Sequence, residues 1–303
     1  MNLKRIFEHY KEDMNYEILW DIVLVDRTTG EKAIVKEESD RYWGADPFLF
    51  SHDGTTYLFY EQYDRNLKKG RIAYRIIEKD LSYSPAQVAF EESFHMSFPF
   101  IFQYGGNIYV VPETSAINEI RLYKALDFPK KWAFEKIIAP AFSAVDTIVY
   151  HMDNDGIDFY TSVGDSCNVE NYIVKCDNLF RCKSKYVVKK ISAEGNRNAG
   201  GLIFQNGNVF RVGQDCTGNT YGKSVIVYKC TTDDFNEEET KRITYDDFAD
   251  LNKRYCGIHT YNTLDDIDVV DLKYVIKKPL RKKIAFIAEK AFGLLKRKIR
   301  KGD

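Results

Sequence analysis

The chain has 303 residues, of which 44 are Lys or Arg and 45 are Asp or Glu, and 44% are hydrophobic. This balance excludes a disordered polyelectrolyte and predicts a globular protein large enough to bury a core without disulfide or metal support. The charge is uneven, because residues 276–303 hold eleven Lys and Arg against two acids, a net charge of +9 that leaves −10 on residues 1–275. So acidic a body argues against binding to nucleic acid.

The first twenty residues, MNLKRIFEHYKEDMNYEILW, lack the uninterrupted apolar stretch of a secretion signal, and residues 1–15 are predicted as an N-terminal helical segment. All six cysteines lie in the second half without a CxxC pair, which favours reduced thiols in a cytoplasmic protein. No apolar run reaches the length of a membrane span. No metal-ligand spacing or phosphate-binding glycine loop occurs, so we expect neither metal nor cofactor.

Residues 16–275 form the predicted body, where apolar and polar residues alternate with the period of β-strands and aromatic residues are abundant. Within it, residues 46–61 (DPFLFSHDGTTYLFYE) match residues 98–113 (FPFIFQYGGNIYVVPE) at a shift of 52 positions. Pro47 falls on Pro99, and Glu61 falls on Glu113. The two segments therefore indicate a structural repeat.

Weaker copies begin at Asp146, Gly200 and His259, each with two strands around a Gly or Asp turn and further strands behind them. Five such units predict an all-β fold, a five-bladed β-propeller, whose closed ring leaves only short and protected sheet edges. The last unit lacks its final strand, which the early segment YEILWDIVLVDR would supply. Two stacked β-sandwiches are the alternative, but they do not explain a motif that recurs five times.

The innermost strands of a propeller begin near its axis, so polar residues at the repeat starts should converge in one funnel. These are Asp46, Asp146, Arg197 and His259. Two carboxyl groups facing the same funnel would differ in proton affinity, so that one orients and the other reacts. Alternatively, Asp46 is a turn residue before Pro47, and Arg197 forms a salt bridge between blades.

The segments WGADPFLF, FHMSFPFIF with VVPETS, AVDTIVYH, RNAGGLIF with GQDC, and GIHTYN carry a family resemblance over about residues 41–271. Together they resemble the propeller domain at the N-terminus of plant glucosamine inositolphosphorylceramide transferases and of bacterial polysaccharide-biosynthesis proteins. More distantly, the chain is similar to the five-bladed glycosidases, a group that includes arabinanases, invertases and mannoside phosphorylases. The distant likeness implies that Asp46 is a general base.

Three carboxylates end second strands of the repeats. Glu113, in the family-like PETS motif, is the acid candidate, whereas Glu61 would bind substrate or only cap a loop. We expect Asp215, with Gln214 beside it, to bind substrate hydroxyl groups. Catalytic candidates are therefore Asp46, Asp146 and Glu113.

The fourth repeat departs from the glycosidase resemblance, which implies a carboxylate proton donor near the position of Arg197. An arginine there would instead hold a phosphate or diphosphate in bidentate fashion, with His259 and His95 completing a cationic corner. His95 has the alternative of a buried, hydrogen-bonded ring. Trp43 would stack on a sugar or pack between blades.

The basic residues 276–303 place apolar side chains at helical three and four spacings, from Leu280 to Ile299. This pattern predicts a basic amphipathic helix that binds an anionic membrane surface, or a helix packed on the propeller with its charges in water.

The predicted function is glycosyl transfer from a phosphate-activated sugar donor to a glycan or lipid-linked acceptor, in surface-polysaccharide or glycolipid assembly on the inner face of the membrane. Two alternatives remain open: a glycoside hydrolase or phosphorylase, and a non-catalytic propeller that binds carbohydrate.

Overall fold

The structure is a computed structural model that describes residues 15–230, 236–280 and 283. The predicted N-terminal helical segment lies outside the described residues except for Asn15. Most of the predicted C-terminal helix also lies outside them. Residues 276 and 277, which were assigned to that helix, instead end the last β-strand.

The described residues divide into two compact units, one within residues 20–273 and one that contains residues 15–19, 274–280 and 283. In the terminal unit, the Lys278 N–H donates to the Asn15 carbonyl oxygen at 2.8 Å. Lys283 Nζ donates to Asn15 Oδ1 at 2.7 Å. Among the described residues, no helix has both the length and the apolar character needed to cross a bilayer.

Residues 20–273 form a five-bladed β-propeller, as the five repeats predict, with one mostly antiparallel sheet for each blade. The first two strands of the chain are β1 (Tyr16–Asp26) and β2 (Lys32–Val35). Blade one contains β3 (Tyr42–His52), β4 (Thr55–Asp64), β5 (Lys69–Ile77) and β6 (Gln87–Phe90). Blade two contains β7 (Ser97–Tyr104), β8 (Asn107–Glu113), β9 (Ile120–Asp127) and β10 (Lys131–Ala139).

The remaining blades follow the same order from the axis outward, with one additional strand in blade four. Blade three contains β11 (Ala144–Met152), β12 (Gly156–Gly164), β13 (Val169–Asp177) and β14 (Cys182–Ser192). Blade four contains β15 (Glu194–Asn198), β16 (Ile203–Gln205), β17 (Asn208–Asp215), β18 (Ser224–Cys230) and β19 (Glu237–Ile243). Blade five begins with β20 (Tyr255–Leu264) and β21 (Ile267–Lys277).

Strands from the two ends of the chain close the ring. Blade five has the order β2-β1-β21-β20, so the early segment YEILWDIVLVDR supplies a strand as predicted. The sequence predicts one strand from the early part of the chain, but the structure has two, because β2 pairs antiparallel with β1 and also belongs to this sheet. Hydrogen bonds between strands distant in sequence therefore replace an open sheet edge.

Interblade packing is apolar and mainly aromatic. One buried cluster joins Phe59 and Tyr74 of blade one to Phe98 and Tyr123 of blade two, and reaches Ile148 of blade three. The inner strands contact one another around the axis, β20 with β3, β3 with β7, and β7 with β11. Strand β11 also contacts β15, so these contacts fix where the inner strands begin relative to one another.

Three inner strands share a bulge near their start. The strand registers shift after Ala45, Ser97 and Val145, and the next residues have positive φ: 50° at Asp46, 44° at Phe98 and 51° at Asp146. Left-handed backbone is uncommon for residues other than glycine, although Asp tolerates it better than most. Bulges re-aim side chains beside functional sites, and here two of the three positions carry carboxylates.

Candidate functional site

The starts of the inner strands bring the four predicted repeat-start residues into one buried group. Arg197 Nε lies 2.6 Å from Asp146 Oδ2, and His259 Nε2 lies 3.1 Å from Asp46 Oδ1. The carboxylate of Glu113 joins them, with Oε2 at 3.6 Å from Arg197 Nη2. We call Asp46, Glu113, Asp146, Arg197 and His259 the funnel cluster.

Asp46 is held by residues of blades two and five. Its Oδ1 accepts a hydrogen bond from Thr260 Oγ1 at 2.9 Å, and its Oδ2 accepts one from the Phe98 N–H at 3.1 Å. Its own N–H donates to Asp271 Oδ2 at 2.8 Å. Burial favours the neutral acid, but His259 and the hydrogen bonds of His259 and Thr260 outweigh this effect, so the pKa of Asp46 lies below its ordinary value. Asp46 is thus ionised at neutral pH.

His259 lies between two carboxylates. Its Nδ1 is 2.7 Å from Asp271 Oδ1, and its Nε2 faces Asp46. Trp20 packs on the imidazole with ring centres 4.0 Å apart. Burial acts to lower the pKa of His259, yet Asp271 and Asp46 together raise it to about 10. The ring is therefore an imidazolium that donates from both nitrogens.

We expect the His259 ring to remain protonated from about pH 6 to about pH 8.5, because its pKa in the folded protein is about 10 against about 6.5 in an unfolded chain. The stabilisation from the charged ring is complete below pH 6.5 and is lost as the pH rises towards 10. NMR titration of the ring carbons and nitrogens measures this directly. Asp271→Asn removes one of the two carboxylates that face His259. In this variant we expect the pKa of His259 to fall into the range from about pH 6 to about pH 8.5. A His259 ring that loses its proton near pH 6.5 in the unsubstituted protein would contradict this result.

Arg197 of blade four forms ion pairs with Asp146 of blade three and Glu113 of blade two, so the salt bridge between blades that was the alternative for this residue is present. The contact of Arg197 Nε with Asp146 is a close ion pair, although it lacks the angles of a well-aligned hydrogen bond. The guanidinium carbon lies 5.2 Å from the centre of the Tyr221 ring. The guanidinium N–H groups that do not face these two carboxylates suit a planar oxyanion.

Local backbone geometry allows β15 to present Arg197. Gly195, two residues earlier, has φ of 72°, and a Cβ there would stand 2.0 Å from the Tyr228 hydroxyl oxygen. Only glycine fits this position. Arg211 then fastens the same strand, because its Nη2 donates to the Gly195 carbonyl oxygen at 2.7 Å.

Asp146 and Glu113 form a pair of carboxyl groups beside Arg197. Burial raises the pKa of Asp146 well above its ordinary value, and Glu113 and Asp46 add to the rise while Arg197 opposes it. Glu113 Oε1 accepts a hydrogen bond from Ser115 Oγ at 2.6 Å. The funnel cluster therefore combines an ionised Asp46 with an Asp146 of higher proton affinity.

Glu61 and His95 lie beside the funnel cluster. Glu61 pairs with Ala45 in the strand register, next to Asp46, and its Oε1 is 3.7 Å from His95 Nε2. His95 Nδ1 accepts a hydrogen bond from the Gly70 N–H at 2.8 Å. Trp43 stacks on Tyr63 with ring centres 4.5 Å apart, and Tyr63 packs edge-on against His95.

Asp215 and Gln214 have other contacts. Asp215 Oδ2 is 2.8 Å from Arg242 Nη1 and accepts a hydrogen bond from Ser224 Oγ at 3.1 Å. No ion pair or hydrogen bond joins Asp215 to the funnel cluster among the residues described. Gln214 Nε2 donates to the Asn198 carbonyl oxygen at 3.1 Å, which supports the strand that carries Arg197.

Sequence reasoning missed Trp20, Tyr221, Thr260 and Asp271. Only Asp271 could have been identified from the sequence, because it is an acidic residue between Val270 and Leu272 in an otherwise apolar strand. Asp46, His259 and Asp271 are close enough to share a cation, but both ring nitrogens of His259 already face carboxylates. The geometry therefore favours a charged hydrogen-bonded triad over a metal centre.

Further along the same inner strands, a cleft of about 440 Å³ opens. Aromatic and aliphatic side chains dominate its lining, among them Phe48, Phe100, Tyr150 and Phe204. The carboxylates and cations of the funnel cluster are absent from this lining. The two regions thus offer different chemistry.

Residues 32–273 match the protein family described as the N-terminal domain of glucosamine inositolphosphorylceramide transferase 1. The Arabidopsis thaliana protein of that name is 35% identical over 195 residues, which cover 61% of this chain and 25% of that protein. The protein of the same name from Oryza sativa subsp. indica is 31% identical over 209 residues, 66% of this chain and 27% of its own length. The chain thus spans about a quarter of these relatives.

Solved structures with the same fold include enzymes that act on glycans. The catalytic domain of an α-L-arabinofuranosidase from Coprinopsis cinerea has a TM-score of 0.54 at 13% identity, over 68% of this chain and 70% of that domain. A family 117 glycoside hydrolase from Zobellia galactanivorans has a TM-score of 0.54 at 13% identity, over 84% of this chain and 90% of that protein. A β-1,2-mannobiose phosphorylase from Listeria innocua has a TM-score of 0.53 at 10% identity, over 79% of this chain and 92% of that protein. At these identities the likeness shows the fold alone.

Proposed function

The chain belongs to the family of the N-terminal domain of glucosamine inositolphosphorylceramide transferase 1, and from this premise we propose that it transfers a sugar from a phosphate-activated donor to a glycan or lipid-linked acceptor. Its relatives from Arabidopsis thaliana and Oryza sativa are both named glucosamine inositolphosphorylceramide transferase 1. The observation that carries the proposal is that carboxylates and cations meet in the funnel cluster. A purely anionic funnel would repel a phosphate.

The roles follow from the contacts. Asp46 is ionised, and its Oδ2 accepts only the Phe98 N–H among the described residues, so a lone pair remains for the acceptor hydroxyl proton. Arg197 binds the donor phosphate through the N–H groups that do not face Asp146 or Glu113. Asp146 and Glu113 hold Arg197 in place and accept hydrogen bonds from sugar hydroxyls. His259 fixes Asp46 and contributes positive charge.

Binding of nucleotide sugars tests the proposal. UDP-N-acetylglucosamine and other UDP- and GDP-linked sugars should stabilise the protein, by about 2.7 kcal/mol for a ligand at a hundred times its dissociation constant. Thermal unfolding with and without each ligand measures the effect. Arg197→Lys, which loses the bidentate geometry, should show a smaller ligand-induced shift, whereas Arg181→Lys on an exposed turn should retain it. Release of free sugar from an unactivated glycan would instead select the hydrolase alternative.

We also propose that the basic segment after Pro279 attaches the protein to the inner face of an anionic membrane, which places it beside a lipid-linked acceptor. Each cation near such a surface contributes about 1 kcal/mol at most. Removal of residues 281–303 keeps the last residue of β21, Lys277. We expect the shortened chain to lose sedimentation with phosphatidylserine liposomes. Unchanged sedimentation would remove this proposal.

A further inference from the structure

Glu61 occupies a position that packing alone does not explain. Its side chain is 7% exposed, and its Oε1 is buried without a hydrogen-bond partner among the described residues. The backbone makes room for it, since a Cβ on Gly70 would stand 2.3 Å from Oε1. Buried carboxyl oxygens are almost always hydrogen-bonded in proteins, so an open one points to a functional role.

His95 cannot neutralise Glu61 as an ion pair. Because His95 Nδ1 accepts a hydrogen bond from the Gly70 N–H, that nitrogen carries no proton, and the ring is neutral with its proton on Nε2. Burial also lowers the pKa of His95, with Glu113 and Asp46 opposing. The nitrogen that faces Glu61 at 3.7 Å is thus a neutral N–H donor.

The cations of the funnel cluster are already shared. His259 faces Asp46 and Asp271, and Arg197 faces Asp146 and Glu113. Glu61 is a further carboxyl group with no cation of its own. The largest charge effects on Glu61 come from Asp46, His259, Glu113 and Asp271. The ring that lies against its carboxyl group, His95, is neutral.

We propose that Glu61 is protonated at neutral pH and acts as the proton donor of the funnel, giving its proton to the leaving group during sugar transfer. This inference rests on the proposed function. As the bond between the sugar carbon and the leaving oxygen breaks, that oxygen takes the proton of Glu61. The acceptor hydroxyl loses its proton to Asp46 as its oxygen bonds to the sugar carbon. Release of that proton and reprotonation of Glu61 from water restore both carboxyl groups.

The electrostatic environment agrees with this role. Burial raises the pKa of Glu61 well above its ordinary value, and the charges of Asp46 and Glu113 add to the rise, against His259. After proton release, the Nε2–H of His95 faces the new carboxylate. His95 is therefore a positioning residue that limits how basic Glu61 becomes.

Two measurements on the full chain test the proposal. With glutamate labelled by ¹³C at the carboxyl carbon, NMR should show a neutral carboxyl signal at pH 7 that disappears in Glu61→Gln and persists in Glu78→Gln, a substitution on the exposed surface. In transfer assays with a panel of UDP- and GDP-linked sugars, Glu61→Gln should lower the rate about 10²-fold at pH 7 and remove the contribution of Glu61 to the fall in rate at high pH, leaving the fall near pH 10 that comes from His259.

A sugar donor whose leaving group needs less protonation distinguishes loss of the proton donor from loss of folding, because only the first defect should shrink with such a donor. The deficit of Glu61→Gln should narrow to less than about tenfold with the matching glycosyl fluorides. His95→Asn should move the high-pH limb of the rate profile upward. An ionised Glu61 at pH 7, or an active wild type whose rate is unchanged in Glu61→Gln, overturns this inference and leaves the proposed function intact. Absence of transfer by the wild type across the panel overturns both.

Discussion

Asp46→Asn should lower the rate of sugar transfer by about 10²- to 10⁴-fold while the propeller stays folded, because general base catalysis contributes a factor of that size. The amide keeps the shape of the carboxylate, because its oxygen can accept from the Phe98 N–H while its NH2 group donates to the Thr260 hydroxyl oxygen. It cannot take a proton from an acceptor hydroxyl. Initial rates with a phosphate-activated donor, together with circular dichroism of each variant, measure the result.

Asp53→Asn is the matched control. Asp53 has φ of 49°, almost the same as the 50° of Asp46, but it lies exposed in the turn between β3 and β4. The two substitutions change the same side chain in the same backbone conformation. Asp53→Asn should leave the rate unchanged, and an Asp46→Asn variant with full activity would reject the role of Asp46.

Glu237→Ala should reduce the free energy of unfolding by about 3–5 kcal/mol, because it leaves a buried arginine without its counter-ion. Arg211 is fully buried, and its Nε lies 2.6 Å from Glu237 Oε1. Its Nη2 also donates to Glu237 Oε2 at 2.7 Å. Lys189 of blade three pairs with the same carboxylate, so the group links two blades.

Urea unfolding monitored by tryptophan fluorescence measures this loss. Glu238→Ala, on the neighbouring exposed residue, should change the free energy of unfolding by less than about 0.5 kcal/mol. Because Arg211 also holds the carbonyl oxygen of Gly195, Glu237→Ala should weaken donor binding at Arg197. Equal stabilities of the two variants would contradict the role assigned to this ion pair.

The repeat pattern was sufficient to predict the architecture. The Asp-Gly turn at residues 53–54 and the Gly-Gly turn at 105–106 divide paired strands, and the alternation on either side predicts which residues pack between blades. The short β2 was missed because KAIV is too brief to show a period and its place depends on pairing with β1.

The candidate site was predictable where the repeat varies. Asp46, Asp146 and Arg197 were found because polar residues replace one another at equivalent repeat positions. Trp20 and Tyr221 lie outside those positions, and they approach His259 only once the ring closes. Asp215 was grouped with Glu113 by repeat position, yet its contacts depend on Arg242 of β19, 27 residues away.

A crystal structure of the full chain with a bound UDP- or GDP-linked sugar is the most direct test of where the donor binds. We expect phosphate oxygens within hydrogen-bond distance of the Arg197 guanidinium and the sugar between Asp46 and Asp146. A donor bound instead in the aromatic cleft beside Phe48 and Phe100, with the funnel cluster unoccupied, would contradict this expectation.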